Sequence, residues 1–160
     1  MRTVDRLAIA APADLVFRHA ADVERWPLIL PHYRWVRILE RGEPSLVEMA
    51  AWRPFGALRW PTWWRSEMWV DPSRREVRYR HVQGITAGMD VHWRVEEAPG
   101  GALAEIVHEW AGPRWPVIRR PAAEWVIGPV FIHGIASRTL AGIGRAAEAT
   151  RVQAPPAARA

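Results

Sequence analysis

Residues 9–41 read IAAPADLVFRHAADVERWPLILPHYRWVRILER, and the reading of this stretch decides the fold. Alternation that begins at Thr3 ends at Ile9, as a short strand would. Pro12 and the run Asp14–Ala20 predict a brief amphipathic helix. Asp22-Val23-Glu24-Arg25-Trp26-Pro27 opens a second short helix, with Asp22 and Glu24 as its cap and first-turn acids, and the helix breaks near Pro31. Tyr33 to Arg41 alternates again as a strand.

Working outward, Gly42-Glu43-Pro44 is a turn, Ser45 to Arg53 a third strand, and Leu58 to Val70 a long fourth. Asp71-Pro72-Ser73 leads to Glu76–Val82. Thr86–Glu97 follows, and Pro99-Gly100-Gly101 forms a hairpin into Ala102–Trp110. These spacings predict an antiparallel meander. Gly112–Pro121 reads as a proline-rich loop, and a long helix follows from about Ala122 to Ala149. Pro129 should kink that helix or mark a break in it, because it removes a backbone donor. RVQAPPAARA, residues 151–160, reads as a disordered tail behind a single domain over residues 1–150.

Strand, two small helices, six further strands and a long helix, with Trp26-Pro27 in the second helix, resemble the START-like (Bet v 1-like, SRPBCC) superfamily, in its polyketide cyclase/aromatase branch. The resemblance covers about residues 3–149. It implies an α+β helix-grip fold, in which a curved seven-stranded antiparallel sheet wraps a C-terminal helix around a ligand cavity. It also implies that Trp26 and Tyr33 line that cavity. Relatives of this branch carry a cavity-facing arginine on the fourth strand, where this chain has Met68. Arg59 and Arg65, the nearest arginines, fall on the outer face.

Strand parity assigns the faces. Trp60, Thr62, Trp64, Ser66, Met68 and Val70 share one face of the fourth strand. Trp63, Arg65, Glu67 and Trp69 share the other, which we assign outward. Val77, Tyr79 and His81 point inward on the fifth strand, as do Met89, Val91, Trp93 and Val95 on the sixth. Ala104, Ile106, His108 and Trp110 do so on the seventh. The inner surface is therefore rich in aromatic rings with few polar groups, which suits a flat, apolar, partly oxygenated ligand. The same eleven tryptophans would also serve to fill a core.

Tyr33 and His81 are the candidate proton-moving residues. Trp26, Trp64, Ser66, Met68, Tyr79, Trp93, His108 and Trp110 are the candidate ligand-binding residues. His81, His108 and His133 lack a close-spaced metal signature, so no metal and no cofactor is expected. His19, His32 and His92 read as surface or near-surface residues. Glu105 and Glu109 should pair across the sheet with arginines such as Arg94. Trp115, before the long helix, is a candidate gate.

At 160 residues the chain suits one domain with a sizeable core. It has no cysteine, hence no disulfide and no thiolate nucleophile. The formal charge is +5, carried by arginine alone, since lysine is absent. The arginines are scattered, which argues against a nucleic-acid surface. His133 and Arg138 interrupt the apolar run Trp125–Gly144, so a core helix is expected there and no stable membrane insertion. The N-terminus lacks the apolar run of a signal peptide, and a cytoplasmic location is expected. Outward Trp63 and Trp69 could cover a homodimer interface.

The functional expectation is a protein that binds a hydrophobic, aromatic or polyketide-like small molecule in an internal cavity. Catalysed cyclisation, aromatisation or dehydration, a lyase-type activity, is one form of it. A non-catalytic lipid or ubiquinone-like carrier is the other.

Overall fold

Period-two alternation along seven segments produces seven strands in the computed structural model, which describes residues 1–55, 58–112 and 132–153. They are β1 (Arg2–Ile9), β2 (Tyr33–Glu40), β3 (Ser45–Phe55), β4 (Leu58–Asp71), β5 (Glu76–Gly84), β6 (Asp90–Ala98) and β7 (Gly101–Glu109). The sheet order is β1-β7-β6-β5-β4-β3-β2, and every pair is antiparallel. The meander from β2 to β7 is closed by β1, which returns to the β7 edge, so both edge strands flank the helical insert in sequence.

Helix α1 (Ala13–Ala21) follows β1 and presents Ala13, Val16, Phe17 and Ala20 to the core, at the spacing of one helical face. Pro12 sits at its N-terminus, where its carbonyl accepts the amides of Leu15 and Val16. A 3₁₀ turn (Val23–Arg25) and α2 (Trp26–Ile29) complete the insert. Asp22 makes no side-chain capping bond; its carbonyl accepts the Arg25 amide instead. Glu24 reaches out to Arg41 at 2.8 Å, so it serves as an ion-pair partner.

The final helix, α3 (His133–Gln153), packs on β1 and α1. It runs three residues into the segment expected to be a tail. Most of the expected proline-rich loop, Trp115, the Pro129 kink and residues 154–160 lie outside the described residues. Among the described residues no helix is long and apolar enough to cross a membrane.

Three expectations change with the tertiary structure. β6 starts at Asp90, because Thr86 to Met89 turn back on themselves: the Ala87 amide donates to Gly84 and the Met89 amide to Thr86. Gly88 takes a φ of +84°, which the turn requires and side chains disfavour. Trp60, assigned to the inner face, is 63% exposed. The reason is sheet geometry: β5 pairs with β4 only from Trp64 onward, so residues 58–63 extend as a ribbon with β3 alone. Glu105 and Glu109 do pair with arginines across the sheet, but the partners are Arg6 and Arg2 of β1, while Arg94 pairs with Glu76.

Parity holds for the rest of β4. Thr62, Trp64, Ser66 and Met68 are buried; Trp63 is 47% exposed, and Trp69 is half-buried. Arg65 points to the outer face, where its guanidinium binds Glu48 at 2.7 Å and Gln83 at 3.1 Å.

Candidate functional site

A cavity of about 70 Å³ lies between the inner face of the sheet and α3. Of the residues expected at a site, Trp26, Tyr33, Trp64, Tyr79, His81, Trp93 and His108 line it. They arrive from five elements of the sheet and from α2. Strand parity explains why: each side chain on a strand occupies an inward position.

Trp26 is the hub of the lining. Its Nε1 donates to the His19 carbonyl at 3.1 Å, which ties α2 to α1 and fixes the indole. The Tyr33 ring meets it edge-on at 5.1 Å, and the Trp93 ring lies at 5.7 Å. The chain of rings continues from Tyr33 to Trp64 at 6.1 Å, and from Trp64 to His81 at 5.9 Å with the planes nearly parallel. Edge-on and offset contacts of this kind contribute about 0.5–1.5 kcal/mol each beyond burial. They also leave ring faces and edges turned to the cavity.

His81 is held on three sides. Its backbone amide donates to Met89, and its carbonyl accepts the Gly88 amide. Its Nδ1 lies 2.6 Å from Thr86 Oγ1, a hydrogen bond whose direction follows the ring tautomer. Tyr79 sits on the same strand, two residues before it. Burial, and secondarily the neighbouring Tyr33, push the Tyr79 hydroxyl well above its usual range, so it stays protonated at neutral pH. Among the described residues that hydroxyl has no hydrogen-bond partner.

Three expected residues stand apart from the cavity. Ser66 and Met68 are buried on the same face but do not line it, and the Ser66 hydroxyl is also without a partner among the described residues. Trp110 gives its Nε1–H to the Ala87 carbonyl at 3.1 Å, so it pins the β5–β6 turn.

Several lining residues went unassigned in the sequence. Ile132, Ile135, Ala136 and Thr139 of the α3 region form one wall. Their i, i+3, i+4, i+7 spacing was the available signal. Met49 and Thr86 also line the cavity; Thr86 lies in a turn, where parity gives no guidance.

His32, expected near the surface, is half-buried: its Nε2 lies 3.0 Å from Thr139 Oγ1. His19 is also half-buried, bonded to Thr150 at 3.2 Å. Among the described residues, no group of three or more His, Asp or Glu side chains could hold a metal ion. His133's side chain lies outside the described residues.

Residues 9–131 match the family model described as polyketide cyclase / dehydrase and lipid transport. A putative polyketide cyclase from Streptomyces halstedii is 35% identical over 103 residues, which span 63% of this chain and 93% of that protein. A second, from Streptomyces cyaneus, is 31% identical over 111 residues, covering 68% of this chain and 72% of that one. Among solved structures, a Streptomyces aromatase/cyclase superposes with a TM-score of 0.71 at 23% identity, covering 100% of this chain and 99% of that one. A Thermus thermophilus protein superposes with a TM-score of 0.78 at 16% identity, covering 94% and 99%. At such identities the superpositions establish the helix-grip fold alone. The match along most of the chain establishes the family: this protein belongs to the polyketide cyclase / dehydrase and lipid transport family.

Proposed function

We propose that this protein binds an aromatic, polyketide-like molecule between its sheet and α3 and moves protons while that molecule closes or aromatises a ring. The observation that carries the proposal is the ring chain that ends on a fixed imidazole: Trp26, Tyr33, Trp64 and then His81, anchored by Thr86.

Ring closure of a poly-keto chain needs a base to take a proton from a methylene between two carbonyls. The carbanion attacks a distant carbonyl, a carbon–carbon bond forms, and the oxygen of that carbonyl takes a proton. Loss of the new hydroxyl as water, with a second proton from the ring, gives the aromatic product. His81 is the candidate base. Tyr33 is the candidate donor. Tyr79, protonated and without a partner among the described residues, suits a ligand oxygen. The volume of about 70 Å³ holds only a few water molecules. Ligands of this class need roughly 300 Å³ or more, so binding requires the walls to move apart.

A non-catalytic carrier is the second reading. Arg65 bonds outward to Glu48, and the inward position at this level of β4 is held by buried, uncharged Met68, which supports retention of an apolar ligand over polarisation of its carbonyls.

Native mass spectrometry of the protein purified from its own host tests both. A co-purifying polyketide supports the enzyme, and a lipid or quinone supports the carrier. An empty protein that takes up neither class would sink both. With a cyclisable substrate, Tyr33→Phe should lower turnover at least tenfold, and unchanged turnover removes Tyr33 from the mechanism.

A further inference from the structure

A second concavity lies on the other side of α3's wall. It is a groove of about 330 Å³ bordered by Pro31 and His32 before β2, by Trp52 and Arg59 of the β3–β4 ribbon, and by Arg138, Ala141 and Arg145 of α3. The hydrogen bond between His32 Nε2 and Thr139 Oγ1 separates it from the aromatic cavity, since Thr139 lines that cavity and His32 lines the groove.

The groove is cationic without compensation. Arg59, Arg138 and Arg145 are exposed, and none forms an ion pair with a described carboxylate. Arg2, Arg6, Arg41, Arg65, Arg75 and Arg94 hold carboxylates, whereas Arg78 and Arg80 on the outer face of β5 also lack a described partner but line no groove with α3. Among the described residues no Asp or Glu borders the groove. Arg59, expected on the outer face of β4, borders the groove because it stands on the ribbon that extends past β5.

We propose that this groove binds the phosphate group of a phosphate-bearing ligand. Three guanidiniums from two elements, gathered without a counter-ion among the described residues, repel one another, and a bound anion reverses the sign of that interaction. The guanidinium fork matches phosphate oxygens two at a time. Arg138 and Arg145 are seven residues apart, two helical turns or about 10.5 Å along the axis. That span exceeds one orthophosphate and suits a diphosphate or a phosphate ester that extends along the helix. The site is independent of the aromatic cavity and does not require the reaction proposed for it.

Isothermal titration of the full chain with pyrophosphate tests the site, beside co-sedimentation with phosphatidylcholine vesicles with and without phosphatidic acid. The two arms separate a soluble phosphate ester from a lipid headgroup. The comparison is between Arg138→Gln/Arg145→Gln in the groove and Arg78→Gln/Arg80→Gln on exposed outer positions of β5. We expect saturable binding in at least one arm, weakened about tenfold or more by the groove pair and unchanged by the control pair. Circular dichroism verifies that both variants fold. No saturable binding in either arm overturns the site, as does equal weakening by both pairs, which would mean only general attraction to a basic protein.

Discussion

His81 Nδ1 and Thr86 Oγ1 lie 2.6 Å apart across the turn that joins β5 to β6. Five residues separate them in sequence, and the turn folds Thr86 back beneath the imidazole. A side chain in the turn thus orients the imidazole stacked on Trp64. The hydroxyl and imidazole make the turn and the cavity wall a single unit.

Thr86→Val keeps the shape and removes the hydroxyl. We expect a stability loss of about 1 kcal/mol, read by urea denaturation. Thr86→Ser should restore most of it. Should the cavity be catalytic, Thr86→Val also displaces the pH profile of turnover, because His81 loses the partner that sets its tautomer. Coincident profiles for Thr86→Val and the parent chain would take His81 out of the proton transfer.

Tyr79→Phe removes a buried hydroxyl that no described residue satisfies. Near neutral pH the variant should match the parent chain or exceed it by about 1 kcal/mol, while losing affinity for an oxygenated ligand. The pH dependence has a definite sign. Burial raises the folded-state pKa above that of the unfolded chain, so the unfolded state releases the phenol proton first, near pH ~10. Stability is therefore full below that pH and falls as the pH rises through it. Denaturation at about pH 8 and about pH 11 should show a smaller alkaline loss in Tyr79→Phe than in the parent.

Gly142→Ala brings a Cβ into Leu30 Cδ2, and Leu30 is fully buried, so the core must shift to admit it. Overpacking of about 1–3 kcal/mol outweighs the helix gain of about 1 kcal/mol from alanine. A net loss of about 1 kcal/mol is expected on chemical denaturation. In a Leu30→Ala background the same change should cost nothing or stabilise. A loss of equal size in both backgrounds would show that Leu30 is not the obstacle.

Arg65→Ala should leave ligand affinity within about twofold, because the side chain binds Glu48 and Gln83 on the outer face. The ion pair is partly exposed, so the stability loss should stay below about 1 kcal/mol. A large drop in affinity would place the guanidinium in contact with ligand and reverse the face assignment of β4.

Local chemistry was legible residue by residue. Pro12, Trp26-Pro27 and Pro31 punctuate the insert, and alternation on β4 to β7 brings Trp64, Tyr79, His81, Trp93 and His108 to one face. Covalent geometry enforces both: proline lacks a donor, and successive strand residues point to opposite faces. Parity alone cannot tell where a neighbour strand begins. Trp60 has an inward position but stands on a ribbon beyond β5, so it is exposed, and Arg59 beside it borders a groove shared with α3.

The order of elements, the inward aromatic face and the outward Arg65 were determined by the sequence itself, because each depends on backbone conformation and on neighbours in the chain. Tertiary structure alone decided which inward residues meet a cavity. Ser66 and Met68 are buried on the right face yet stand off it, whereas Thr86, Met49 and Thr139 reach it. A cavity is the space left after distant segments pack, and its walls are chosen by contacts between residues far apart in sequence. The chain therefore announces its fold and its ring-lined face, and packing selects the few polar groups that face the cavity.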